Sequence, residues 1–255
     1  MDLGIAGRSA IVCASSKGLG RACAMELARA GCAVVLNGRD AARLEAAAEE
    51  IRAATGARVT AVAGDVSGPA ARDALLAACP APDILVNNNG GPPPGAFETL
   101  TREQILRGIE ANMLTPIALI QRVAPGMAER KFGRIINITS GSVRAPIAGL
   151  DVSSGARAGL TAFLASAARK YVRDNVTINS IQPGAFDTDR IKEMLANNPL
   201  GETAAREARA KTIPAGRLGS PEEFGALCAF LASAHAGYIA GQNILIDGGV
   251  FPGAF

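Results

Sequence analysis

Short, almost purely apolar runs alternate along this chain with longer stretches whose apolar residues recur at helical spacing. Ala10-Ile-Val-Cys-Ala14, Ala33-Val-Val-Leu36, Val59-Thr-Ala-Val62, Ile84-Leu-Val86, Arg134-Ile-Ile-Asn-Ile138, Thr177-Ile-Asn-Ser-Ile181 and Asn243-Ile-Leu-Ile246 read as buried strands. Between them, helices are predicted over Arg21 to Ala30, closed by Gly31, and over Arg43 to Ala54, stopped near Gly56. Two more are predicted over Arg102 to Asn112 and Pro116 to Arg130, then a long one from Ser153 to Arg173, with Asp151 as its expected N-cap. Pro221 starts a last helix to Ala232, with Glu222 and Glu223 in its first turn. The run Gly90-Gly-Pro-Pro-Pro-Gly95 suits neither a helix nor a central strand. Solidly apolar strands alternating with helices predict an α/β fold, a doubly wound parallel sheet covered on both faces. No linker or composition break divides residues 1–255, so one domain is expected.

Composition removes several function classes. The 26 basic and 23 acidic residues are mixed along the chain, so neither nucleic acid nor a membrane surface is an expected partner. No apolar run approaches the ~20 residues that span a bilayer. The N-terminus lacks a basic segment followed by an apolar one, and a cytoplasmic location is expected. The five cysteines, Cys13, Cys23, Cys32, Cys79 and Cys228, have no metal or redox spacing and read as buried thiols. His235, the one histidine, has no acidic or cysteine neighbour and reads as a surface or capping residue. No metal site is expected.

The first strand runs into Ala14-Ser15-Ser16-Lys17-Gly18-Leu19-Gly20, which opens a helix. Glycines there let the backbone approach a pyrophosphate, whose charge is stabilised by the helix N-terminus. At the first β-α junction of such a sheet, this loop predicts a dinucleotide site. An acid at the end of the second strand would repel a 2′-phosphate. This chain has Asn37 and Arg39 there, with Lys17 in the loop, so NADP(H) is favoured over NAD(H). Asp40 reads as the cap of the next helix. Asp65-Val66 and Asn87-Asn88-Asn89-Gly90 follow strands three and four, at the ends where ligands bind in open α/β sheets.

Taken together these residues resemble the short-chain dehydrogenase/reductase family, particularly its 3-oxoacyl-(acyl-carrier-protein) reductases. The likeness runs from about Leu3 to Gly249. Its further marks are Asn112, Ile138-Thr-Ser140, Asn179 to Pro183-Gly184, Ile213-Pro-Ala-Gly-Arg-Leu-Gly219 and Ile246-Asp-Gly-Gly249. The resemblance implies a single Rossmann-type domain that is usually a homotetramer, here a tetramer or dimer, and that interconverts a carbonyl and an alcohol with NAD(P)H. It implies cofactor contacts at Asn88, Asn89, Gly90, Arg157, Pro183, Gly184, Phe186 and Thr188, besides the phosphate-loop residues, Asn37, Arg39, Asp65 and Val66. It implies that Asn112 holds a helix distortion and a water, and that Ser140 bonds the substrate oxygen. A tyrosine is expected thirteen residues after Ser140, and a lysine four beyond. Ser153 and Arg157 stand there.

Those two replacements bear on the proton that carbonyl reduction requires. A phenol, with a reference pKa of about 10, delivers one far better than a serine hydroxyl. An arginine does not readily give up its proton, though it offers fixed donors and a positive charge. That charge would stabilise an alkoxide, with a water at Asn112 or Asn89 as proton source. Three readings stay open: an NADP(H)-dependent oxidoreductase with an altered proton path, a weakly active NADP(H)-binding sensor or partner subunit, and a dehydratase or isomerase. The stretch 187–219 is expected to be the substrate lid. It mixes Met194, Leu195, Leu200 and Ile213 with Arg190, Lys192, Glu202, Arg206 and Lys211, which suits a small molecule with an apolar part and a polar or anionic end, and equally a surface helix.

Overall fold

The computed structural model describes every residue except 197, 200, 254 and 255. All seven strands form one parallel sheet in the order β3-β2-β1-β4-β5-β6-β7. They are β1 (Ser9–Val12), β2 (Ala33–Gly38), β3 (Val59–Ala63), β4 (Ile84–Asn87), β5 (Gly133–Ile138), β6 (Val176–Pro183) and β7 (Asn243–Ile246). The chain winds outward from β1 to β3, then returns to place β4 on the other side of β1. The loops leaving β1 and β4 therefore diverge, and a crevice opens between them at the carboxyl edge.

The helices cover both faces, as the apolar strands require. On one face α1 (Gly18–Arg29), α2 (Ala41–Thr55) and α9 (Pro221–Ala232) enclose a core that includes Leu27, Leu36, Leu44, Ile51 and Phe224. On the other, α3 (Pro69–Ala78), α5 (Thr115–Glu129) and α6 (Asp151–Tyr171) bury Leu75, Leu119, Ile135, Leu160 and Leu164. Burying one such leucine contributes about 1.5–3 kcal/mol. The five cysteines are all buried and free. Burial pushes the Cys13 thiol up to about 12, so it stays protonated. Asp40 caps α2 by accepting from the Arg43 N–H at 3.0 Å, and exposed His235 meets the Asp2 carbonyl through Nε2 at 2.8 Å.

Three expectations change. Helix α3 was not predicted between β3 and β4. Its signals are Pro69 in the first turn and a short Ala/Leu pattern, too brief to stand out. Asp151 does not cap α6: the cap position is Leu150, and Asp151 is already helical and exposed. The two helices predicted on either side of Leu114 are one continuous structure: α4 (Arg102–Ile109) passes through a π-helical turn, Glu110–Leu114, directly into α5. Pro116 explains the turn, because it has no N–H to give the carbonyl of Asn112 four residues back.

The excursion after β6 holds α7 (Asp189–Leu195) and α8 (Glu202–Lys211). Its ends meet where Phe186 bridges Gly219, and Arg206 clasps Asp187 through two bonds of 2.5 Å. Position 200, expected among its apolar residues, lies outside the described residues.

Candidate active site

The phosphate loop is shaped by contacts that only a few residues permit. A Cβ on Gly20 would lie 2.4 Å from the Ala14 carbonyl and 2.8 Å from the Asn88 amide, so only glycine fits. Gly18 has φ +59, and Ala14 has φ 44, a left-handed conformation that a Cβ opposes. No side chain caps the first turn of α1, and no acid lies in it. That open, positively polarised helix end beside Gly18 and Gly20 suits a pyrophosphate.

Several residues expected to touch a cofactor also tie together the carboxyl edge of the sheet. Ser15 is fully buried and gives its hydroxyl to the Val12 carbonyl at 2.8 Å. Asn37 is buried too: its amide donates to the Val62 and Gly64 carbonyls, and its oxygen accepts weakly from the Ala14 N–H. Asn88 ties the loop to β4 by donating to the Ala14 carbonyl at 3.1 Å. Asp65 closes a turn by accepting from the Ser67 N–H, and Val66 is core. Phe186 also belongs to the core, its ring edge-on to Phe224 at 5.4 Å. Asn89 donates its amide to Ser67 Oγ and the Ala111 carbonyl.

Other residues remain open to the crevice. Arg39 is exposed at the end of β2 and, among the described residues, forms no ion pair. Ser16 lies against Gly38, and Leu19 is half-buried in the first turn of α1. Lys17 reaches across to α7, 2.8 Å from Glu193 and 3.8 Å from Asp189. This pairing holds the Glu193 carboxyl below its ordinary range. Thr188 faces Gly18. Gly90 and Gly184 are exposed beside half-buried Pro183, at the ends of β4 and β6.

Farther along the crevice, the end of β5, helix α6 and the π turn set the four positions expected to be catalytic. Ser140 caps the turn after β5, accepting from the Ser142 N–H at 3.1 Å and its hydroxyl at 2.9 Å, which leaves its own proton to donate. Ser153 and Arg157 lie one turn apart on the buried face of α6. Arg157 donates through Nε to Ser153 Oγ at 3.2 Å, through Nη1 to the Ile138 carbonyl at 2.7 Å and through Nη2 to the Asn89 carbonyl at 3.4 Å. It has no carboxylate partner among the described residues. Burial, and secondarily the charge of Arg190, lower its pKa to about 10, so it stays charged at neutral pH.

Asn112 sits in the π turn, buried, its amide donating to the Gly108 carbonyl at 3.3 Å. Its side-chain oxygen and that of Asn87 are buried without a protein partner. A cavity of about 10 Å³ lies between these residues, Asn89 and Arg157. That volume suits one water, and orphan acceptors beside a guanidinium are the lining it needs. A wider groove of about 260 Å³ lies between α1, α9 and the start of α7, but Asn112, Ser140 and Arg157 do not line it. Tyr171 packs at the far end of α6 and Tyr238 is fully exposed, so neither replaces a phenol at Ser153.

A doubly wound sheet with a glycine-shaped phosphate loop at its switch point, and a serine, an asparagine and a cation just past β5, in the π turn and on α6, defines a dinucleotide-dependent oxidoreductase. The comparisons agree. The family described as Enoyl-(Acyl carrier protein) reductase matches residues 13–251. The NADPH-dependent reductase BacG of Bacillus subtilis is 34% identical over 251 residues, covering 95% of this chain and 97% of that protein. The 3-oxoacyl-[acyl-carrier-protein] reductase FabG of Pseudomonas aeruginosa is 32% identical, covering 98% and 99%. L-sorbose reductase from Gluconobacter frateurii, solved with NADPH and L-sorbose, superposes with a TM-score of 0.92 at 31% identity, covering 98% of each chain. The chain belongs to the short-chain dehydrogenase/reductase family.

Proposed function

We propose that this protein is an NADP(H)-dependent reductase of a small carbonyl compound, with Arg157 and Ser153 in place of the tyrosine-lysine pair. The observation that carries the reading is the buried guanidinium of Arg157, charged, lacking a carboxylate and bonded to Ser153. NADPH, when bound, supplies the hydride. The α1 N-terminus with Gly18, Gly20 and Thr188 would hold its pyrophosphate, and Arg39 its 2′-phosphate. Ser140 and Ser153 donate to the substrate oxygen. Arg157 polarises Ser153 by donating to its Oγ, and its charge stabilises the oxyanion in a dry site. A water between Asn112, Asn87 and Arg157 is the proton source.

The segment 187–219 serves as the lid, supported by its closed base at Phe186 and Gly219 and by the Lys17–Glu193 contact. A homo-oligomer is supported by exposed Leu106, Leu114 and Phe163 on α4, the π turn and α6, apolar surface of the kind a partner copy covers. No helix among the described residues is long and apolar enough to cross a membrane. The buried reduced cysteines favour the cytoplasm.

Equilibrium binding of NADPH and NADH, followed by NADPH oxidation over aldehydes, ketones and 3-oxoacyl thioesters, tests this reading. NADPH is expected to bind at least roughly tenfold more tightly than NADH, and Arg39→Ala to erase that preference. Tight NADPH binding without turnover on any carbonyl would favour a sensor or partner subunit instead.

A further inference from the structure

We propose that the crevice at Gly90 recognises a carboxylate on the substrate, with Arg190 as the specificity-determining residue and Arg157 beside it. This deepens the reductase reading and rests on it for the identity of the reacting site.

Arg190 lies in the first turn of α7, and its side chain reaches Gly91. Nη1 is 3.5 Å from the Gly91 carbonyl, the outer limit of a hydrogen bond. A Cβ on Gly91 would lie 3.0 Å from both terminal nitrogens, so the guanidinium rests on the bare face of that glycine. Arg157 approaches the same segment from α6, through the Asn89 carbonyl. The two cations thus rest on carbonyls two residues apart. Between them is Gly90, exposed, where a Cβ would meet nothing within 4 Å.

Among the described residues, no carboxylate forms an ion pair with either arginine. Asp189 and Glu193, on the same helix as Arg190, turn to Lys17. Asp187 is taken by Arg206. Arg190 feels Glu193 at a distance, but the bond that carboxylate makes is to Lys17. Burial chiefly, and the charge of Arg190 secondarily, lower the pKa of Arg157. Arg157 is buried and Arg190 exposed, and an anion set between the two lowers their mutual repulsion. A planar guanidinium favours a carboxylate, which it can meet with two parallel bonds. Arg157 also holds Ser153, so the anion sits beside the reacting oxygen. The substrate class is therefore a 2-oxo or 3-oxo acid.

The other anion that two arginines could meet is a cofactor phosphate, and the test separates the two. Malonate, a dicarboxylate without a reducible carbonyl, is titrated into the NADP⁺-saturated protein by calorimetry. NADPH affinity is measured separately by fluorescence. Arg190→Ala is expected to weaken malonate binding at least roughly tenfold and to leave NADPH affinity within about twofold, and Arg190→Lys to recover part of the loss. Unchanged malonate affinity in Arg190→Ala, or an equal loss of malonate and NADPH affinity, overturns the proposal. Malonate binding that depends on Arg190 in a protein that reduces no carbonyl would sink the reductase reading while leaving the anion site standing. Circular dichroism of each variant confirms that the fold is retained.

Discussion

Arg157 donates to Ser153 across one turn of α6, at 3.2 Å, and this bond ties the two unusual residues of the site into one unit. The serine's oxygen is occupied by the guanidinium, so its proton is directed elsewhere. The guanidinium in turn is fixed by the carbonyls of Ile138 and Asn89, the ends of β5 and β4. The pair is therefore a rigid donor set rather than a mobile base.

The two residues contribute unequally. Arg157→Ala removes a buried charge from the site and leaves the carbonyls of Ile138 and Asn89 without this donor. It is expected to lower kcat by roughly 100-fold or more, while Ser153→Ala costs roughly tenfold. Steady-state rates of the two variants and of the double variant check this. Because the residues act together, the double variant is expected to be little worse than Arg157→Ala alone. Additive losses would mean that they act separately.

The pH profile follows from the lowered pKa of Arg157, about 10. The protonated form is the active one, so kcat/KM is expected to be flat from pH 7 to 9 and to fall above about 10. For stability the sign is the opposite. The folded pKa lies below the ordinary guanidinium value, so the native state carries the cost of a buried charge at neutral pH, and that cost eases as pH rises through about 10. Activity lost near pH 6 or 7 would point to a different titrating group, since no histidine faces the crevice.

Ala14 offers a test of the phosphate loop that is independent of catalysis. Its φ of 44 costs an alanine roughly 1–2 kcal/mol, against the roughly 0.4–1 kcal/mol by which a glycine loosens the unfolded chain. Ala14→Gly is expected to stabilise the protein by up to about 1 kcal/mol, read as a rise in the urea midpoint at unchanged slope. A destabilised variant would mean that the alanine methyl packs better than the backbone angle suggests.

Much of this was legible before any coordinates. Seven apolar runs became seven strands, because a parallel sheet buried on both faces leaves its strands no polar alternation to hide behind. The loop from Ala14 to Gly20 was recognisable from its glycines, and the register that places Ser153 and Arg157 follows from counting on from Ser140. Less legible was which polar residues serve the ligand and which serve the fold. Ser15, Asn37, Asp65 and Asn89 all stand at strand ends, where side chains often meet a cofactor. Here each also bonds a neighbouring backbone or side chain.

Sequence alone thus determined the architecture, the dinucleotide loop and the chemical identity of the altered pair, because apolar periodicity and residue spacing are local properties. Only the tertiary structure decided what that pair can do. The distance from Arg157 to the Ile138 and Asn89 carbonyls, the orphan oxygens of Asn87 and Asn112, and the approach of Arg190 to Gly91 all join segments far apart in the chain. Charge, burial and hydrogen-bond supply at a site are sums over such neighbours, and no single stretch of sequence contains them.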